Sequence, residues 1–300
     1  MDNTIKVQSD EKFALLLLLV LLMILPNVSA YDPYTHSLHS SLVPSHPEIK
    51  PAGSYATSLY DGSGTYTYPL TVPPGTNGQQ PSLALVYSSQ HMKDSPSIAG
   101  TGWVLAEDYI ERDEKYTLSD SNDDEFDLYI GGEKYDLVYD NQEQRYHTKR
   151  ESYMYIQKLN GNSEGREYWV VKTKDGMVYR FGYNADSELR AGDLTARWSV
   201  DLVTDTHDNN IYYLYEEHED GGSAIVYPSQ ISYNNDQKRV IEFFYENGDQ
   251  PGYGMKYKHG VRASPRKRIT EVRVLYDQEI VRKYTLQYVS LGATAKETIG

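Results

Sequence analysis

The stretch 120–131, DSNDDEFDLYIG, opens like a calcium-binding loop, with Asp120, Asn122 and Asp124 at the first, third and fifth ligand positions. The sixth position needs glycine for its sharp turn and holds Glu125; the twelfth needs a bidentate glutamate and holds Gly131. The EF-hand pattern therefore fails, which leaves a solvated acidic loop or an irregular surface calcium site. Zinc chemistry fares no better. His218 lies among acids in EEHED without a second histidine at i+4, and His36, His39 and His46 are scattered through a Ser/Pro-rich stretch. Gly62-Ser63-Gly64 lacks the Gly-x-Ser-x-Gly spacing of a hydrolase elbow, and Thr67 stands where a dinucleotide loop needs its third glycine. Glycoside hydrolysis asks only for two carboxylates about 5–10 Å apart, and among 43 Asp and Glu some pair meets that by chance. No residue pattern here demands an enzyme, and the expected cofactor and metal complement is none.

Composition narrows the classes further. The net charge of −14 argues against nucleic acid, whose phosphates need a basic face. The one basic knot, Arg262, Arg266, Lys267 and Arg268, reads as a solvated strand entry. Tyrosine is in excess, 29 against 5 Phe and 3 Trp, which predicts much thin, half-wet sheet and little deep core. The chain has no cysteine, so neither disulfides nor thiol chemistry contribute, and stability must come from packing and strand pairing. Near the N-terminus, FALLLLLVLLMIL (13–25) is shorter than the ~20 residues of a membrane span. Pro26 and Val28-Ser29-Ala30 follow it, so residues 1–30 read as a secretory signal, with an uncleaved anchor as the alternative. The expected location is secreted or cell-surface, without membrane insertion after cleavage.

Residues 31–53 read as a flexible leader. From Ser54 onward short Tyr/Val/Ile/Thr runs alternate with turn signals, which predicts strands at 65–72, 82–88, 126–130, 134–139, 153–159 and 168–174. The series continues at 177–181, 211–217, 230–233, 239–245, 269–276 and 280–288. Asp175-Gly176 between two such runs is the firmest hairpin, and VLYDQEIV predicts another at Asp277-Gln278. No segment holds a helical period over three turns; ELRAGDLTARW comes nearest and Gly192 interrupts it. Strands repeatedly end in Tyr followed by an acidic or amide residue, as at Tyr233-Asn234 and Tyr276-Asp277, which reads as a ring at the sheet rim and the start of a turn. The fold class is all-β, a long antiparallel sheet winding by successive hairpins.

The most particular local sequence is YPLTVPPGTNGQQPSLALVYSSQ (68–90). Pro73 and Pro74 fix φ, Gly75 and Gly78 open conformations closed to other residues, and Asn77 can close the turn. A rigid corner of this kind sets the angle between two strands at the start of a sheet. With Gly100-Thr101-Gly102-Trp103-Val104-Leu105 downstream, the region resembles the N-terminal domain shared by the Salmonella virulence plasmid B protein and the B components of insecticidal toxin complexes. The similarity runs from about residue 54 to 290, through TKDGMVYRFG, RWSVDLVTDTHDNNIYYLY, ISYNND and VRKYTLQY. It departs at Asp205–Asn210, where the family reads Asp-x-x-Gly-Asn, and at SQHMKDSPSIAG, which replaces a glycine-rich segment.

The resemblance implies a segment of a hollow β-shell with YD repeats, one that walls in a toxic segment and does not itself carry the toxic activity. The chain ends at Gly300, so residues 291–300 read as a truncated tail. The propeller, YD-repeat body and effector of family members would then lie outside a fragment or one part of a split system. The expected partner is a YD-repeat shell or other toxin-complex component, or a second copy paired through exposed strand edges. Pro73, Pro74, Gly75, Asn77, Gly78 and Trp103 are the residues expected to matter, all in structural roles. The alternatives are a surface module binding a glycan or cell-wall polymer, and a glycosidase-like enzyme.

Overall fold

A computed structural model describes residues 52–57, 62–94, 96–113, 124–191, 194–220, 223–247, 257–258, 261–262, 265–290 and 297–299. The apolar N-terminal run, the leader up to residue 51, and Asp120 and Asn122 of the acidic loop lie outside the described residues.

A four-stranded antiparallel sheet comes first: β1 (Ser54–Thr57), β2 (Gly64–Pro69), β3 (Ala84–Ser88) and β4 (Trp103–Leu105), in that spatial order. The described strands between residues 109 and 285 then join one large sheet, and its first half closes on itself. Seven strands follow by hairpins: β5 (Tyr109–Asp113), β6 (Glu125–Ile130), β7 (Glu133–Asp140), β8 (Arg145–Thr148), β9 (Tyr155–Asn160), β10 (Glu167–Lys172) and β11 (Val178–Phe181). After the short β12 (Glu188–Ala191), the eleven-residue β13 (Leu194–Thr204) pairs with β5 along one edge and β11 along the other. Strands β5 to β11 and β13 therefore form a closed eight-stranded barrel. Its wall is thinnest between β8 and β9, which meet through one residue pair, Tyr146 and Ile156.

The remaining strands extend from β13 as an open sheet: β14 (Asn210–Asp220), β15 (Ser223–Tyr233), β16 (Arg239–Asn247), β19 (Lys267–Tyr276) and β20 (Glu279–Thr285). Two short strands, β17 (Tyr257–Lys258) and β18 (Val261–Arg262), lie between β16 and β19 in the chain, and β18 meets β15 in parallel. A final hairpin of β21 (Tyr288–Ser290) and β22 (Glu297–Ile299) puts a strand in the segment expected to be tail.

The predicted hairpins form where the turn chemistry demands. Asp277 and Gln278 both take positive φ, the requirement of the tight turn joining β19 to β20, and Gly176 at φ +87° closes the β10–β11 connection. ELRAGDLTARW contributes β12 and the start of β13 rather than a helix.

The expectation of little deep core is overturned. Trp169 and Trp198 are fully buried in the barrel, edge-on to one another at 5.8 Å, with Phe126 5.0 Å from Trp169. Most of the described tyrosines are half-buried or exposed, as the half-wet reading expects, but a few go deeper. Tyr227 and Tyr233 are fully buried, and the hydroxyls of Tyr215, Tyr233, Tyr245 and Tyr288 donate to the carbonyls of Val200, Pro73, Pro228 and Ile269. A buried phenol must find a polar partner, and here it finds the backbone of a neighbouring element instead of water.

Barrel closure depends on one close approach. Gly182 (φ +68°) follows β11, and a Cβ there would lie 2.1 Å from Cδ1 of Trp198. Its N–H donates to Ser199 O at 3.0 Å, holding the chain against β13. Gly182→Ala is expected to destabilise the protein by roughly 3 kcal/mol, from left-handed strain and overpacking together. The check is the midpoint of urea unfolding, with Gly161→Ala, whose Cβ would meet nothing within 4 Å, as the milder comparison.

Candidate functional site

Two places concentrate the residues that a non-catalytic or a binding function would use: the Pro-Pro-Gly corner and the open end of the barrel. The corner (residues 70–83) connects β2 to β3 and lies against the large sheet. The Tyr233 hydroxyl donates to Pro73 O at 2.6 Å, Arg239 Nε to Pro74 O at 3.1 Å, and Thr76 N–H to Asn234 Oδ1 at 2.8 Å. Gln79 is buried and its amide donates to Val203 O of β13. On the other side Tyr284 of β20 both accepts from Thr71 N–H at 2.7 Å and donates to Thr71 O at 3.1 Å. Leu70 and Val72 are buried beneath these contacts. Prolines suit this role because their carbonyls are fixed in direction and carry no N–H to satisfy.

The reasons differ from those read in the sequence for two of the residues. Gly75 has φ −84°, open to any residue; glycine is needed because a Cβ would lie 1.8 Å from Gln79 O and 3.0 Å from Asn234 Oδ1. Asn77 contributes a left-handed backbone (φ 54°), while the turn is closed by the N–H groups of Gly78 and Gln79 donating to Gly75 O and Thr76 O. Gly78 has φ +78°, as its type requires. Trp103 is not at the corner: on β4 it packs edge-on to Tyr66 at 6.1 Å and against Tyr87 at 5.5 Å. The sequence did not reveal Tyr233, Asn234, Arg239 and Tyr284 as the corner's partners. The strand-ending Tyr-Asn pair was the available signal, read as a rim ring and a turn rather than as a clamp.

The barrel is unlike at its two ends. One end carries the two-residue Gly131-Gly132 turn between β6 and β7. The other, where β5, β7 and β9 finish and β6, β10 and β13 begin, holds a cleft of about 790 Å³. Charge inside it is paired. Buried Arg112 bonds to Asp124 and to Thr195 O, with its guanidinium 5.3 Å from the Phe126 ring and 5.6 Å from Trp198. Lys158 meets Glu167 at 3.1 Å and lies 4.9 Å from the centre of the same Phe126 ring, and Arg166 Nε donates to Glu188 at 2.7 Å. Among the described residues, Glu188 and Asp201, behind the cleft lining, are the most buried carboxylates. Burial pushes both carboxyls up, and Arg166 and Arg180, with Asn162 and the N–H groups of Tyr183 and Asn184, pull them back. Groups held by arginine in this way position a chain segment rather than move protons.

Among the described residues, Asp140, Glu143 and His147 bring ligand atoms within 4.8 Å of one another. Arg145 donates to the same Glu143 oxygen that faces His147, so a cation already occupies that carboxylate's charge. Of the calcium-like positions Asp120, Asn122 and Asp124, only Asp124 is among the described residues, and it is committed to Arg112.

The corner clamp carries a pH signature. Burial raises the Tyr233 phenol from 10.0 to about 12. The folded pKa lies above the unfolded one, so its contribution is complete below pH 10 and is lost as pH rises towards 12. Tyr233→Phe is expected to cost about 1 kcal/mol at neutral pH and to flatten the alkaline fall in stability. Urea unfolding at neutral pH and across pH 10–12 measures both; an unchanged alkaline slope would remove Tyr233 from the account.

Residues 58–248 match the model of the family described as the Salmonella virulence plasmid 65kDa B protein. The mono(ADP-ribosyl)transferases SpvB of Salmonella enteritidis and Salmonella typhimurium are each 28% identical over 228 residues, covering 63% of this chain and 38% of theirs. The chain thus spans under two-fifths of the length of these relatives. Among solved structures, the N-terminal domain of effector protein SpvB from Salmonella typhimurium strain LT2 superposes with a TM-score of 0.59 at 19% identity, over 77% of this chain and 96% of that one. TcdB2-TccC3 shares the fold with a TM-score of 0.65 at 15% identity, over 83% of this chain and 16% of that one. A family model covering most of the chain, over the same barrel and sheet, settles the assignment: the chain belongs to the Salmonella virulence plasmid 65kDa B protein family.

Proposed function

We propose that this chain is an exported, non-catalytic wall segment of a toxin-complex or YD-repeat type shell, enclosing or presenting a toxic partner. The observation that carries the reading is the corner clamp, which seats the small first sheet on β13, β15, β16 and β20 and so makes two sheets one wall. The fold shared with a part of TcdB2-TccC3 and with nearly the whole SpvB N-terminal domain supports it. The transferase activity in the relatives' name belongs to proteins of which this chain spans 38%.

Such a segment meets its neighbour at the outer edge of β20. Ile280 and Val281 are each 52% exposed there, side by side, because the register against β19 slips at this point. Glu279, Arg282 and Lys283 flank them, so the edge is charged and bulged, a guard against indiscriminate pairing. The partner is a strand shaped to that bulge, from a YD-repeat shell protein, another toxin-complex component or a second copy.

Size-exclusion chromatography with light scattering on the secreted native product is the test, together with incubation with labelled NAD. Co-elution with a larger partner, or a defined oligomer, without label transfer is expected, and Ile280→Lys should release the partner. A monomer that transfers label would overturn the proposal.

A further inference from the structure

From the mouth of the barrel we infer a second property, a binding site for a neutral oligosaccharide. The cleft is of the size that takes a small ligand, and its chemistry is specific in kind. Its lining carries Arg112, Lys149, Lys158 and Arg166 with Asp124, Glu125 and Glu167; Arg112 pairs with Asp124, Lys158 with Glu167, and Arg166 with the buried Glu188 behind the lining. The most exposed couple, Lys158 with Glu167, sets a donor beside an acceptor, and the cations and carboxylates of the lining are close to balance. Vicinal hydroxyls, each of which both donates and accepts, fit such a couple; a phosphate or a carboxylate would meet the acidic oxygens of Glu167 there.

The second half of the site is aromatic. The Tyr139 ring is 41% exposed at the mouth and lies 5.0 Å from Tyr146, which rests in turn on buried Trp169 at 4.8 Å. The Phe126 ring, by contrast, already carries the Arg112 and Lys158 cations. Tyr139 is therefore the face on which the C–H side of a sugar ring can lie, backed by a rigid aromatic stack. A peptide strand is recognised chiefly through unpaired backbone at a sheet edge, and this mouth presents side chains of strands paired around the barrel. The inference does not rest on the wall reading, and either can fail alone.

The test is isothermal titration of the full secreted chain with cellohexaose, chitohexaose and maltohexaose, and with a heparin hexasaccharide as the charged comparison. At least one neutral hexaose is expected to bind. Tyr139→Ala and Lys158→Met should each weaken it about tenfold or more, while Tyr139→Phe, which keeps the ring, stays near the parent. Thermal unfolding of each variant identifies any loss that comes from misfolding, and Tyr139 is exposed enough to be replaced without opening the core. No binding by any neutral hexaose, preference for the heparin fragment, or binding indifferent to Tyr139→Ala would each overturn the site.

Discussion

The structure depends on β13 being shared. Its first half pairs with β12 on one edge and β5 on the other, and its second half with β11 and β14. One strand thus closes the barrel and launches the open sheet, and it is buried almost throughout. That position explains the polar residues it carries. Asp201 is buried because it holds Arg180 and the N–H groups of Tyr183 and Asn184, fixing the segment that leaves β11. Trp198 fills the barrel while its indole N–H donates to Glu167 O, tying the strand to β10 across the interior. A buried charge without these partners would cost several kcal/mol; with them it specifies which segment docks where.

With no cysteine, the chain fastens its layers by phenols. Tyr215, Tyr233, Tyr245, Tyr284 and Tyr288 each reach from one element to the backbone of another. Each such bond is worth only about 1 kcal/mol net, less than a disulfide, but the ring that delivers it also buries a large apolar surface. This gives a reason for Tyr over Phe at these positions: the ring packs at a half-buried or buried site while the hydroxyl has a polar destination.

Much of this was legible. The strands of β6, β7, β10, β11, β16, β19 and β20 stand out by their β-rich runs and intervening turns, and the ordered corner motif carried the family resemblance. What stayed hidden has a common cause. Tyr109–Asp113 and Leu194–Thr204 are barrel strands whose inward or doubly buried faces include Arg112 and Asp201, so charge broke the apolar alternation that marks a strand. Closure was equally invisible, because pairing β11 with β13 and β13 with β5 is a fact of register across long separations. The mouth was missed for the same reason: its ion couples join residues as far apart as Arg166 and Glu188, and no local spacing announces them.

The double contact between Thr71 and Tyr284 spans 213 residues of chain. Loop-closure entropy makes so distant a pairing slow to form, and an all-β chain folds slowly already. The opening hairpins are thus obliged to wait for the last long strand before they are held on both sides. During synthesis their tyrosine-rich edges stand open, a window in which a chaperone or an assembly partner can engage them before the protein closes on itself.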